Sequence, residues 1–170
     1  MAGTAGNVLI AAVDNIKFAS TDIGYTSAPF VMRRNNTFLD ITNEQTFGAI
    51  KSILTDAFFE AEVTLQESTQ ENIARAWNLP QSNITSTGST KSLALNNNLA
   101  ANLAVLVTGK TGTAPDVTGV AKVRVIDLPI VQVVSTAELN MAKGAVSELA
   151  ITMKILADNT GLFGTIRDQL

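Results

Sequence analysis

The sequence predicts a mainly β domain, either a β-sandwich or a partly closed barrel, with one short flanking α-helix. Several short runs alternate apolar and polar residues, and only one segment carries clear helix-start and helix-stop signals. Clusters of Gly, Pro, Asn and Ser separate these runs. The chain has 170 residues, a usual length for one domain, so we expect a single domain over residues 1–170 with about seven to nine strands.

The first half of the chain is predicted to open with a hairpin and to reach its clearest strand at residues 57–66. An opening strand or hairpin fits residues 8–20, and the turn that follows contains Gly24, where glycine allows a positive φ angle. Residues 29–42 form the next extended stretch, with a bend or hairpin tip at the double asparagine of residues 35–36. Regular alternation in the clearest strand predicts one core face and one solvated face.

A short helix is predicted directly after this strand. Ser68 and Glu71 have the spacing of a capping box, in which two side chains satisfy the first free N–H groups of a helix. Ile73 and Trp77 lie four residues apart and give the helix one apolar stripe. Trp77 is therefore expected to pack on the sheet rather than to form an exposed anchor. Pro80 cannot continue the helix and ends it.

Residues 81–98 are predicted to form an extended surface loop. Ser, Thr and Asn dominate this segment, and no acidic residue occurs between Glu71 and Asp116. A loop of this length is uncommon inside a compact domain and is commonly either disordered or functional.

The second half of the chain is predicted to be mainly strands. Residues 99–108 form a strand, residues 109–119 a Gly-rich hairpin tip, and the alternating run that follows is bent or ended by Pro129. Residues 137–145 fit either a helical turn or a loop. The last strong strand is predicted at residues 148–157. Its core-facing positions are Leu149, Ile151, Met153 and Ile155.

Composition argues against an enzyme. The chain contains no histidine and no cysteine, which removes the commonest general base, thiolate nucleophiles and the usual zinc ligands. Its formal net charge of −3 provides no general attraction for the phosphates of a nucleic acid. No apolar run approaches the roughly 20 residues that span a bilayer. We therefore expect no cofactor, no specific DNA binding and no membrane insertion by this chain.

Two motifs resemble parts of catalytic sites, but neither is favoured as one. The Gly-Lys-Thr of residues 109–111 matches the end of a phosphate-binding loop, but Ala104 stands where that motif needs a glycine. Glu60 and Glu62 lie on the solvated face of the clearest strand and have the residue type of a glycosidase acid/base pair. Catalytic carboxylates normally come from different strands that flank a cleft, so an ordinary solvated face is the favoured interpretation.

Five segments, in order along the chain, carry a family resemblance. The turn at residues 22–27 reads Asp-Ile-Gly-Tyr-Thr-Ser, and Leu-Asp-Ile follows at residues 39–41. A Thr-Asp pair at residues 55–56 enters the long strand, and the helix at residues 69–79 begins with Thr-Gln-Glu-Asn-Ile. The final strand, at residues 149–157, is followed by an aspartate. Together these segments resemble the tail tube (major tail) proteins of bacteriophages over most of the chain.

The resemblance implies both a fold and a function. It implies a β-sandwich flanked by a helix, whose copies form hexameric rings that join their sheets into one β-barrel around a channel. Stacked rings form a tube through which viral DNA passes without specific binding. The chain would be made in the host cytoplasm and lie in the tail of the virion, with itself and other tail proteins as partners. The alternative function is a capsid decoration or cell-surface binding module, because an all-β fold would serve that role equally.

Two groups of residues are candidate site residues under this interpretation. Glu60 and Glu62 are candidates for the channel lumen, where carboxylates would repel DNA phosphates, and an ordinary solvated outer face is the alternative. Residues 81–98 match no part of the family pattern and are predicted to contact a neighbouring subunit. The candidate side chains of that loop are Gln81, Ser82, Asn83, Asn96, Asn97 and Asn98.

Overall fold

The computed structural model describes residues 11–42, 49–111, 123–135, 137–139 and 147–169. These residues are mainly β, as predicted, with ten strands, one α-helix and one short 3₁₀ turn. The strands are β1 (Ala11–Phe18), β2 (Thr21–Asp22), β3 (Val31–Thr42), β4 (Ala49–Leu65), β5 (Ile84–Thr87), β6 (Thr90–Leu93), β7 (Leu103–Thr111), β8 (Val123–Val133), β9 (Leu149–Ile155) and β10 (Thr165–Gln169). The helices are α1 (Gln70–Ala76) and the 3₁₀ turn (Gln81–Asn83).

Eight of the ten strands form one sheet. Its order is β2-β1-β7-β8-β9-β4-β3, and β10 joins it by pairing with β8. The pairs within it are antiparallel, and two of them, β1 with β7 and β4 with β9, join segments that are distant in sequence. The other two strands, β5 and β6, form a separate hairpin.

Strand β8 changes its pairing partner at Pro129. Residues 123–127 pair with β10, whereas residues 131–133 pair with β9. On its other side, the register with β7 shifts between the pairs Leu128–Val105 and Val131–Leu103. Proline has no N–H to donate, and it is tolerated in a strand at such an irregularity. Pro129 was predicted to bend or end the strand, and it does not end it, because β8 continues to Val133.

Side chains from both ends of the sheet order meet in one hydrophobic core. Phe18 of β1, Leu65 of β4 and Val105 of β7 are buried in the same cluster. The predicted alternation is confirmed over residues 61–65 of β4 and over β9, where inward positions are buried, whereas residues 57–60 are all half-buried. The predicted core residues of β9, each at most 1% exposed, are Leu149, Ile151, Met153 and Ile155.

Helix α1 is capped by Thr69, not by the predicted Ser68. Thr69 has extended backbone angles, and its Oγ1 accepts a hydrogen bond from the backbone N–H of Asn72 at 3.3 Å. The expected capping-box partner, Glu71, instead bonds the ammonium group of Lys91. The cap therefore lies one residue later than the sequence signal, and the carboxylate that would complete the box bonds Lys91 of β6.

The other end of α1 is closed by a left-handed residue before Pro80 is reached. Asn78 has a φ angle of 54°. Its N–H donates to the carbonyl of Arg75, and the N–H of Leu79 donates to the carbonyl of Ala74. This is the Schellman arrangement, in which asparagine is the usual substitute for glycine. Trp77 is half-buried against the core, as predicted, and its Nε1 donates to the carbonyl of Ala137 at 2.7 Å.

Two predicted turns are replaced by strand. The double asparagine at residues 35–36 forms no hairpin tip, since both residues pair with β4 and Asn35 donates to the Glu60 carboxylate at 3.1 Å. The prediction that a hairpin tip starts at Gly109 is also wrong. Gly109 is buried in a central strand and pairs with both β1 and β8. In each case cross-strand pairing overrides the local turn preference.

Residues 81–98 do not form the predicted extended loop. After the 3₁₀ turn, β5 and β6 form a hairpin with a two-residue loop, Gly88-Ser89. Gly88 has a φ angle of 61° and Ser89 does not have a positive one, which matches the type II′ turn that favours glycine first. Threonine and isoleucine on both sides favour strands, so the segment had the composition of a hairpin.

Gly24 has the expected positive φ angle, at 80°. Strand β10 was not predicted. The predicted structure of residues 8–10, 112–122 and 140–146 lies outside the described residues.

Candidate assembly surface

The outer parts of β3 and β4 form a two-stranded arm, defined here as residues 38–42 and 49–54. Six large apolar side chains in the arm are between 40% and 57% exposed. They are Phe38, Leu39, Ile41, Ile50, Ile53 and Leu54. Scattered single apolar residues are normal on a protein surface, but several exposed apolar residues close together in one ribbon make it a candidate interaction site.

Both faces of the arm carry an apolar cross-strand pair. Phe38 lies opposite Leu54, and Leu39 lies opposite Ile53. Successive residues of a strand point to opposite faces, so the first pair lies on one face and the second on the other. Since all four side chains are exposed, neither face of the arm is covered by the described part of the chain.

The edges of the arm are also open among the described residues. Strand β3 is the last strand in the sheet order and pairs only with β4. Strand β4 pairs with β9 from Phe59 onward, so residues 49–58 have β3 as their neighbour on one side. An edge with free N–H and C=O groups can accept another strand.

The face that carries Glu60 and Glu62 is not uniformly acidic. Arg33 Nη1 lies 2.7 Å from the Glu62 carboxylate, and this ion pair raises the pKa of Arg33. Lys154 lies opposite Glu60 in the neighbouring strand, with its ammonium group 4.8 Å from the centroid of the Phe58 ring. Cations therefore interleave with the two glutamates, so this face alone does not provide the band of negative charge that β4 suggests in isolation.

Most of the candidate residues in the 81–98 segment stabilise its own fold. Gln81 donates to the carbonyl of Glu71 at 3.1 Å. Asn83 donates to the carbonyl of Ala94 and to the side chain of Asn96. Asn96 in turn accepts from the backbone N–H of Asn98. The remaining candidates, Ser82 and Asn97, are exposed.

The large exposed side chains next to the asparagine run are apolar. Leu95 and Leu99 are 70% and 72% exposed on either side of the asparagine run. The hairpin beneath them is fixed to α1, because Gln70 donates to the carbonyl of Lys91 and Glu71 bonds its ammonium group. The hydrogen bond from Lys91 lowers the pKa of Glu71. These two leucines are further exposed apolar residues, outside the arm.

Sequence reasoning missed the arm, although a signal was present. Residues 38–39 and 53–54 are consecutive large apolar residues. Such doublets place apolar groups on both faces of a strand and are typical of strands buried on both sides. In this arm the same pattern leaves large apolar side chains exposed on both faces.

The described residues contain no cluster of three or more acidic, histidine or cysteine ligands for a metal ion. None of their helices is long and apolar enough to cross a membrane. The Gly-Lys-Thr of residues 109–111 lies within β7 rather than at the start of a helix, where a phosphate-binding loop would need it.

No protein-family model matches the chain, and no curated protein matches it.

Proposed function

We propose that this chain is a structural subunit that assembles with copies of itself into rings, which stack into a tube around a channel. The phage tail tubes that the sequence resembles imply hexameric rings, passage of DNA without specific binding, and a place in the virion tail beside other tail proteins. The observation that carries self-assembly is the apolar arm, exposed on both faces.

The arm has a physical need for a partner. A two-stranded ribbon is at best marginally stable alone in water. Fully burying a large apolar side chain contributes about 1.5–3 kcal/mol, so covering six that are about half exposed contributes on the order of 5 kcal/mol in total. That is a large fraction of the free energy of a typical specific contact.

A second copy of the chain is the partner that the sheet favours. Strand β3 is a twelve-residue edge strand, and long open edges are templates for pairing with another chain. An arm that contacts a different surface of the next copy makes a head-to-tail contact, and repeated head-to-tail contacts close into a ring or extend as a filament.

The finer fold belongs to the same proposal. A β-sandwich or partly closed barrel is supported by the shared burial of Phe18 and Leu65, from strands far apart in the sheet order. Residues 25–27 also pair with the end of β4 after leaving β2, which brings the two ends of the sheet together. Glu60 and Glu62 stay candidates for the lumen, with Arg33 and Lys154 giving that face mixed charge.

Paired substitutions within the arm test the proposal. The double variant Leu39→Thr/Ile53→Thr removes the apolar pair from one face while retaining residues that favour strands. The matched control, Asp40→Asn/Ser52→Thr, changes the polar pair on the opposite face. Purified proteins are compared by negative-stain electron microscopy and analytical ultracentrifugation.

We expect rings or tubes from the natural chain and the control, and smaller species from Leu39→Thr/Ile53→Thr with an unchanged circular dichroism spectrum. Monodisperse monomers or trimers from the natural chain at all concentrations would refute the proposal and favour a decoration or binding module. Normal tubes from Leu39→Thr/Ile53→Thr would show that the arm is not the assembly element.

A further inference from the structure

A cavity of about 330 Å³ lies where the C-terminal end of α1 meets the β1–β2 turn and the segment that leads into β7. Its walls are mainly apolar and include Phe18, Leu79 and Leu103. One charged side chain, Arg75, also lines it. The volume is at the small end of the range for ligand pockets and fits a molecule of a few carbon atoms.

Arg75 is buried and has no hydrogen-bonded carboxylate partner among the described residues. The residue is only 7% exposed. Its Nη1 donates to the side chain of Asn72 at 2.9 Å, but no carboxylate of the described residues forms an ion pair with it. Glu71, on the same helix, forms its hydrogen bond with Lys91 and acts on Arg75 only through the attraction of its charge. A guanidinium group has five N–H donors, so most of its capacity is left for another acceptor.

The end of the helix does not account for this capacity. Carbonyl groups in a last helical turn often need donors, and a basic side chain can supply them. Here the backbone N–H groups of Asn78 and Leu79 already bond the carbonyls of Arg75 and Ala74, and the hydroxyl of Ser135 donates to the carbonyl of Ala76.

Asn72 holds the guanidinium in place. Its side-chain amide donates to the carbonyls of Ile23 and Glu67, at 3.0 and 2.9 Å, which turns its oxygen toward Arg75. Burial lowers the pKa of Arg75, since the charge is removed from water. An anion in the cavity would offset that cost.

We propose that this cavity binds a carboxylate carried on a short apolar chain, with Arg75 as its cationic partner. A guanidinium group pairs with a carboxylate through two parallel hydrogen bonds. One cation balances one carboxylate, and the apolar walls suit an alkyl or aryl group better than a phosphate. The carboxylate comes either from a free small acid or, if the proposed assembly is correct, from an acidic side chain of a neighbouring copy.

Calorimetric titration with sodium hexanoate tests the site, with sodium chloride at equal ionic strength as the blank and 1-hexanol as the uncharged analogue. We expect hexanoate to bind the natural chain and 1-hexanol to bind at least tenfold more weakly. Arg75→Met, which keeps an apolar side chain of similar length, should weaken hexanoate binding at least tenfold. Arg124→Met, which removes a surface arginine that pairs with Asp168, should leave it unchanged.

A second measurement uses the Leu39→Thr/Ile53→Thr variant, in which assembly is expected to be weakened. In a titration of this variant followed by amide NMR, hexanoate should shift the signals of Ala100 and Leu103, which line the cavity. If hexanoate binds and also blocks tube formation, the natural carboxylate belongs to a neighbouring copy. If it binds and tubes form normally, the natural ligand is a free acid.

The proposal is overturned by either of two results. One is hexanoate binding of equal strength in the natural chain and Arg75→Met, which would reflect apolar contact alone. The other is absence of hexanoate binding by the natural chain together with normal assembly of Arg75→Met. Loss of assembly in a folded Arg75→Met without hexanoate binding would support the protein-borne carboxylate. The two overturning results are independent of the proposal that the arm drives assembly, which is tested by Leu39→Thr/Ile53→Thr.

Discussion

Two serines at equivalent positions in two hairpins should respond oppositely to the same substitution. Ser20 is the second residue of the two-residue loop between β1 and β2, and Ser89 is the second residue of the loop between β5 and β6. Ser20 has a φ angle of 70°, whereas Ser89 does not have a positive φ. Both side chains are exposed, so backbone conformation is the main difference between them.

Glycine relieves strain only where φ is positive. A residue with a Cβ atom in the left-handed region costs about 1–2 kcal/mol, and glycine loses about 0.5–1 kcal/mol more conformational entropy on folding. Ser20→Gly should therefore stabilise the fold by about 0.5–1 kcal/mol, and Ser89→Gly should destabilise it by a similar amount. For a chain of this length those changes move Tm by about 1–4 °C in opposite directions.

Thermal unfolding followed by circular dichroism checks this prediction. Because assembly makes Tm depend on concentration, both serine variants are measured in the Leu39→Thr/Ile53→Thr background at two concentrations. A fall in Tm for Ser20→Gly, or shifts of the same sign in the two variants, would refute the conformational argument.

Three further predictions concern the cap, the core and pH. Thr69→Ala should lower the free energy of unfolding in urea by about 0.5–2 kcal/mol and Ser68→Ala should leave it almost unchanged, since Thr69 supplies the cap. A larger loss for Ser68→Ala than for Thr69→Ala would show instead that Ser68 is the cap, as the capping-box pattern predicts. Ile151→Ala should cost about 2–5 kcal/mol because this side chain is 1% exposed, and an unchanged urea midpoint would contradict that. Hydrogen bonds from the Thr160 hydroxyl and from backbone N–H groups lower the pKa of Asp158, so its contribution is present above the ordinary pKa of aspartate and lost as pH falls through the lowered value. The Tm difference between the natural chain and Asp158→Asn should therefore shrink between pH 7 and pH about 2, and a constant difference would exclude this linkage.

The sequence predicted those strands whose pattern is set by burial. In β4 and β9 one face is core, so alternation is visible without knowledge of the partner strand. The same reasoning failed for β10, where Ile166 is the only large apolar residue and is 56% exposed. Its pairing with β8 depends on cross-strand contacts such as Arg124 with Asp168, which no local pattern reveals.

The candidate site was harder to predict because hydrogen bonds and strand pairing decide which side chains are exposed. The asparagines of the 81–98 segment were predicted to contact a neighbouring subunit, yet Asn83 and Asn96 bond each other. The arm has apolar doublets that fit a buried strand as well as an exposed one. Only the register of β3 with β4, and the point at which β9 begins to pair, show that these doublets are uncovered.

The pairing of β4 with β9 has a consequence during synthesis. The hairpin of β3 and β4 is local, but the inner half of β4 needs β9, which is translated much later. Non-local pairs form slowly, because a long loop must close before they gain stability. On the ribosome, the apolar arm should therefore lack a folded base until β9 has emerged. Premature contact between nascent chains would then be weak, and subunits would gain the ability to polymerise only after this late strand joins the sheet.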